Sequence, residues 1–170
     1  IIPANHTAIA ARKDIIRIKI DNWKDECNSK SAVITGMVQY HRSVKSQHLE
    51  NNRDVIVWLP PDYNEESSNY PVLYMHDGQN IVDQSTSFLG ADWMVDEVAT
   101  ELIEDNKMSK IIVVGVYNTN SRTAEYSPIH LGRAYTQFLI EELKPFIDKN
   151  YRTLTGPENT AIAGSSMGGI

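Results

Sequence analysis

Among its 170 residues the sequence has one cysteine, Cys27. A lone thiol closes no internal disulfide and builds no zinc site by itself, so neither device holds this chain together. Long apolar runs are missing as well. The longest strongly apolar stretch, Ile111 to Val116, falls far short of the roughly 20 residues that a helix needs to cross a bilayer. No membrane partner is expected. Positive charge is scarce: 16 basic residues face 22 acidic ones, a net charge of −6. Without a basic stripe to neutralise phosphates, no nucleic-acid partner is expected either. There is no internal repeat, no low-complexity tract and no recognisable signal peptide. The chain opens Ile1-Ile2-Pro3 without methionine, which reads as a processed or incomplete start. Cytosol, periplasm and export all stay open, and nothing points to an oligomeric state. What remains is the composition of a soluble globular domain, 41% apolar and 22% charged, long enough to bury a core.

Residues 1 to about 13 lack a period, and Ile15 to Ile20 reads as a strand. Residues 1–31 are therefore expected to be a linker or the tail of a preceding β-rich module. From Ala32 to Val44, β-branched and aromatic residues recur at roughly alternate positions. Arg53 to Leu59 is a stronger strand, closed by Pro60-Pro61. Both suggest an antiparallel lead-in. The texture then changes. Pro71 to Met75 is a short apolar strand ending at His76-Asp77-Gly78. Ala91 to Asn106 places Met94, Val98 and Leu102 at helical spacing, with Asp92 set to cap the first turn. Trp93 fits the core of that helix better than a pocket wall. Ile111 to Val116 reads as a strand covered on both faces. Leu131 to Lys149 is a second helix, which Pro145 bends or brings towards its last turns. Thr160 to Gly164 is one more strand. Alternation of strand and helix over residues 71–164 implies a parallel sheet with helices on its faces.

Gly164-Ser165-Ser166-Met167-Gly168 fits the pattern G-x-S-x-G. The pentapeptide is weak by itself, but it follows a strand and precedes what should be a helix, as a nucleophile elbow requires. Such a turn forces Ser166 into a sparsely populated backbone conformation and lifts its hydroxyl outward. Side chains two residues to either side would collide, which explains Gly164 and Gly168. The N–H of Met167 follows at a helix start, where it can meet a developing oxyanion. The competing reading is a flexible glycine-rich loop.

Further blocks extend the likeness: Arg53-Asp54-Val55 with Leu59-Pro60-Pro61-Asp62-Tyr63, then Leu73 to Asn80 (Leu-Tyr-Met-His-Asp-Gly-Gln-Asn). Val113 to Val116 follows, then Arg122 with Glu125-Tyr126-Ser127-Pro128, Glu142 to Asp148 with Tyr151-Arg152-Thr153, and Gly164 to Gly169. From about Tyr40 to Ile170 the chain resembles the esterase D-like group of α/β-hydrolases. That group includes S-formylglutathione hydrolases, acetyl-xylan and feruloyl esterases, enterochelin esterases and mycolyltransferases. The resemblance implies the N-terminal part of an α/β-hydrolase fold over residues 32–170. It also implies that the second oxyanion donor is the N–H of Gln79, beside Gly78.

On this reading Ser166 is the nucleophile of a serine carboxylic-ester hydrolase acting on acylated carbohydrate or another small ester, with no cofactor and no metal. An acyltransferase and a non-catalytic binding protein on the same fold are the alternatives. His76 precedes the serine, whereas this fold places its acid and base after it, so His76 is expected to anchor a loop. His6, His41, His48 and His130 are read as surface or strand residues. Arg122, Glu125 and Tyr126 either line a pocket or, the favoured reading, tie a long loop down by an ion pair and a buried phenol; Asp77 and Gly78 are further candidates for the pocket or its loop. Only four residues follow Ser166, so the acid and the histidine are expected beyond residue 170. The 170-residue chain alone is accordingly expected to be inactive.

Overall fold

The computed structural model describes residues 34–169; the strand expected at Ile15–Ile20 and the whole 1–31 segment lie outside them. Five strands form one sheet in the order β1-β2-β4-β3-β5. They are β1 (Met37–Val44), β2 (Arg53–Leu59), β3 (Val72–His76), β4 (Ile112–Val116) and β5 (Thr160–Ala163). β1 pairs antiparallel with β2, and β2 antiparallel with β4. β3 pairs parallel with both β4 and β5, with Val72 opposite Ile112 on one side and Thr160 on the other. The antiparallel lead-in and the parallel second half are thus both present.

β2 and β4 are central and carry near-continuous apolar runs because both of their faces are covered. Alternate residues of β2 serve opposite layers. Val55, Val57 and Leu59 join Val114, Phe138, Leu143 and Ile147 in one core cluster. Ile56 and Trp58 join Val113, Ile81 and Ala99 in the other.

α1 (Val95–Glu104) covers the second of these clusters. It is shorter than its sequence pattern and rotated by one residue from it. Val95, Ala99 and Ile103 pack on the sheet, whereas Met94, the expected first contact, takes the N-cap position with φ 53. Asp92 does not cap the helix by its side chain. It sits ahead of the first turn, where its Oδ2 accepts from the Met94 N–H at 3.2 Å. Trp93 precedes the helix and is exposed rather than core.

After β4 comes a short helix, α2 (Arg122–Glu125), where the sequence suggested a loop. The second long helical stretch is continuous but not uniform: α3 (Gly132–Gln137), a π-helical turn (Phe138–Leu143) and α4 (Lys144–Asn150). Pro145 lacks an N–H and its ring crowds the carbonyl four residues back, at Glu141. The widened π turn just ahead absorbs that mismatch, so the helix continues past the proline.

Candidate active site

β3, β4 and β5 run parallel, so their C-terminal ends share one rim of the sheet, where ligands bind in open α/β folds. Three connections leave that rim: the turn after His76, the segment after Val116 and the turn after Ala163. Each carries residues singled out from the sequence.

The turn after β5 is a strained elbow. Ser166 has φ 57, a left-handed conformation that costs a non-glycine residue about 1–3 kcal/mol and persists only where the surroundings impose it. A short 3-10 turn, Ser166–Gly169, follows at once. Ser166 is exposed. The glycines have steric reasons to be there. A Cβ on Gly164 would run into the carbonyl group of Gly168, and one on Gly168 would lie 3.2 Å from His76 Cβ and 3.6 Å from Asp77 Oδ2. The elbow therefore packs closely on the His76 and Asp77 side chains at the turn after β3.

That second turn is also strained. Asp77 has φ 58 and opens a 3-10 turn, Gly78–Asn80, that holds Gln79. Gly78 packs against the backbone of β4; a Cβ there would overlap the carbonyl of Gly115. The Gln79 side chain accepts from the Asn118 N–H at 3.2 Å, and the Gln79 carbonyl accepts from the Thr86 hydroxyl at 2.7 Å. Asn80 is held in the same way, its Oδ1 accepting from the Phe88 N–H at 2.9 Å.

Asp77 is buried and fully engaged. Arg122 grips it with both prongs, Nε to Oδ1 at 2.7 Å and Nη2 to Oδ2 at 2.8 Å. Asn118 Nδ2 donates to Oδ1 at 2.7 Å, and the Tyr126 hydroxyl donates to the same atom at 3.3 Å. Burial opposes ionisation of this carboxyl, but the Arg122 and Asn118 hydrogen bonds and the guanidinium charge outweigh it and hold the pKa below the usual range. Burial and the Asp77 charge push the Tyr126 phenol up to about 12. Arg122 Nη2 also reaches the Ser165 carbonyl at 3.4 Å.

Glu125 turns the other way. It is completely buried and pairs with Arg53 of β2 at 2.8 Å. Asn51 Nδ2 donates to it at 2.6 Å. The guanidinium of Arg53 lies 5.0 Å from the ring centres of both Tyr135 and Phe138. Glu125 thus anchors α2 to the sheet from below.

His76 is half-buried, with Nδ1 2.8 Å from the Tyr135 hydroxyl. Burial lowers its pKa, which favours the neutral ring. It packs among Tyr126 and Tyr135 with ring centres 4.9 and 5.4 Å away, the surroundings of an anchor. His41 lies on β1 and bonds Tyr151, His48 meets Glu141, and His130 is exposed.

A cavity of about 1100 Å³ runs along β5, lined by Tyr74, Tyr126, Tyr135, Ile162 and Met167 among others. Its lining includes Gly164 and Gly168 but not Ser166.

Sequence reasoning missed Asn118, Thr86 and Tyr135, which hold the site residues rather than form them. Asn118 alone had a signal: it lies just past the C-terminal end of a central parallel strand. At the start of α1, Asp92, Asp96 and Glu97 bring carboxylate oxygens within 4.8 Å of one another. Burial, with Asp96 alongside, pushes Glu97 up to about 7, which favours its protonated form more than in water.

A strand, a strained serine turn and flanking helices on a sheet of this order define the α/β-hydrolase fold. Known proteins agree. The family described as "Putative esterase" matches residues 46–170. An esterase of Mycobacterium tuberculosis is 36% identical over 125 residues, 70% of this chain and 25% of its own length. An endo-1,4-beta-xylanase/feruloyl esterase of Xylanibacter ruminicola is 34% identical over 119 residues, 67% of this chain and 16% of its own. A ferulic acid esterase of the anaerobic fungus Anaeromyces mucronatus, solved in complex with ferulic acid, superposes with TM-score 0.57 at 27% identity. The superposition covers 85% of this chain and 54% of the fungal one. The chain belongs to this esterase family. It spans about half the length, or less, of the curated relatives it matches.

Proposed function

We propose that the protein is a carboxylic-ester hydrolase that works through an acyl-enzyme on Ser166. The observation that carries this reading is the φ of 57 at Ser166, a strained backbone at the rim where the sheet presents its loops. The Ser166 hydroxyl attacks the ester carbonyl and gives its proton to a histidine base. The carbonyl oxygen becomes an oxyanion, met by the N–H groups of Met167 and Gln79. Collapse of the tetrahedral intermediate breaks the bond to the alcohol, which leaves with that proton. Water then attacks the acyl-enzyme by the same route in reverse and frees the acid and the serine.

The base and its acid partner are assigned to chain beyond Ile170, in the order serine, acid, histidine that this fold uses. Among the described residues, His76 is committed to Tyr135 and is not assigned that role. Residues 1–170 by themselves are accordingly taken to be inactive. The substrate class is an ester of a small molecule or an acylated carbohydrate. Hydroxycinnamoyl esters are the first to test, given the feruloyl esterases among the similar proteins.

Pre-steady-state hydrolysis of a p-nitrophenyl ester by the full-length protein tests the mechanism. A burst of p-nitrophenol approaching one equivalent per protein, absent from Ser166→Ala, is expected. Undiminished turnover in Ser166→Ala would overturn the assignment.

A further inference from the structure

The oxyanion donors assigned above come from two different turns, one on β3 and one on β5, and a hydrogen-bond pair works only when its spacing fits the oxyanion. We infer that Arg122 is the positioning residue that sets this spacing, by bonding both turns through one guanidinium. The inference deepens the reading of Ser166 and rests on it.

Three observations converge. First, Arg122 binds Asp77 in the bidentate way, at 2.7 and 2.8 Å, and Asp77 is the left-handed residue that opens the Gly78–Asn80 turn. Fixing its carboxylate fixes the direction in which Gly78 and Gln79 leave the strand. Secondly, Nη2 of the same group lies 3.4 Å from the carbonyl oxygen of Ser165, the peptide that enters the nucleophile. One rigid, planar group thereby spans the two turns; a lysine ammonium has neither the fork nor the plane to do so. Thirdly, Arg122 is itself held. Its guanidinium lies 4.9 Å from the Tyr126 ring centre, and its helix α2 ends at Glu125, which is locked to Arg53 on β2.

The turns lie close, since a Cβ on Gly168 would come within 3.2 Å of His76 Cβ, 3.4 Å of the Tyr126 ring and 3.6 Å of Asp77 Oδ2. The parallel ladder of β3 and β5 has Met75 and Ala163 as its last partners; beyond it the guanidinium adds a polar tie between the turns. Displacing a catalytic group by about an ångström can cost about a hundredfold in rate. The loss should fall on the transition state, because both amides act on charge that appears only there.

The test uses the full-length protein with Arg122→Lys and, as a second perturbation from the other side, Asp77→Asn. Active sites are titrated with a fluorophosphonate, so that kcat is expressed per competent serine and any misfolded share drops out. Ester hydrolysis gives kcat and KM, and a boronic acid measures affinity for a tetrahedral adduct. The expected result is a kcat lowered about 10- to 100-fold in both variants. KM should stay within about threefold, and boronate affinity should fall by a factor similar to that in kcat. Normal kcat and boronate affinity per titrated site in either variant would overturn the inference, as would a loss confined to KM. If wild-type Ser166 takes no fluorophosphonate, the underlying reading of the nucleophile fails instead, and the two failures are distinct.

Discussion

The strain at Ser166 and Asp77 is useful because glycines beside each turn leave room for it. Gly164 and Gly78 admit no Cβ without collision with backbone, and backbone cannot rotate away as a side-chain tip can. Gly78→Ala should push the Gly78–Asn80 turn off β4 and move the Gln79 amide. We expect kcat to fall at least tenfold, by analogy with displaced catalytic groups, with a modest loss of thermal stability. Steady-state kinetics beside a melting curve would check this. The elbow was legible because its requirements are local: a strand, a serine and small residues two positions away. The grip on Asp77 was not. Its partners Asn118 and Arg122 lie 41 and 45 residues downstream, and no local pattern pairs residues across that distance.

Strands were easier to read than helices, for physical reasons. β2 and β4 are covered on both faces, so a continuous apolar run states their position directly. α1 was harder, since Met94, Val98 and Leu102 keep helical spacing as well as Val95, Ala99 and Ile103 do. Packing against Ile56, Trp58 and Ile81 selects the second row. The burial of Asp96, whose Oδ2 accepts the Thr35 N–H at 2.7 Å, agrees with that choice and is invisible to a hydrophobic count. The buried ion pair and the α1 carboxylates both bear on stability. Arg53→Met leaves Glu125 charged, buried and without its cation, which should cost about 3–5 kcal/mol of stability. Joining it with Glu125→Leu should recover much of that loss in denaturant titrations. The second concerns pH. Glu97 stands at an ordinary 4.5 and rises to about 7 in the fold, so the folded state holds the extra proton. Stability from this group is full below pH 4.5 and declines as pH rises towards 7. Glu97→Gln should flatten that decline in melting curves taken across the window.

On the scale of the whole molecule, the sheet ends at β5, where Ile162 is 59% exposed and no further strand is paired among the described residues. Ile140 is 61% exposed, and both residues line the cavity along β5. An unpaired edge beside an apolar surface favours association. Residues 1–170 expressed alone should therefore self-associate or aggregate on size-exclusion chromatography and show no cooperative melting; a monomer with a sharp two-state transition would contradict this. The order of strands and helices was legible at this scale, because alternation over residues 71–164 leaves few topologies open. Strand neighbours were not, since order within a sheet depends on contacts between segments far apart in sequence.

The serine raised by the turn after β5 is assigned the acyl group. Full-length protein treated with a fluorophosphonate and mapped by tandem mass spectrometry tests it most directly. One adduct per chain is expected, on Ser166, with its formation slowed by a competing ester substrate. An adduct on Ser165 or elsewhere, or none in a preparation that still hydrolyses esters, would contradict it.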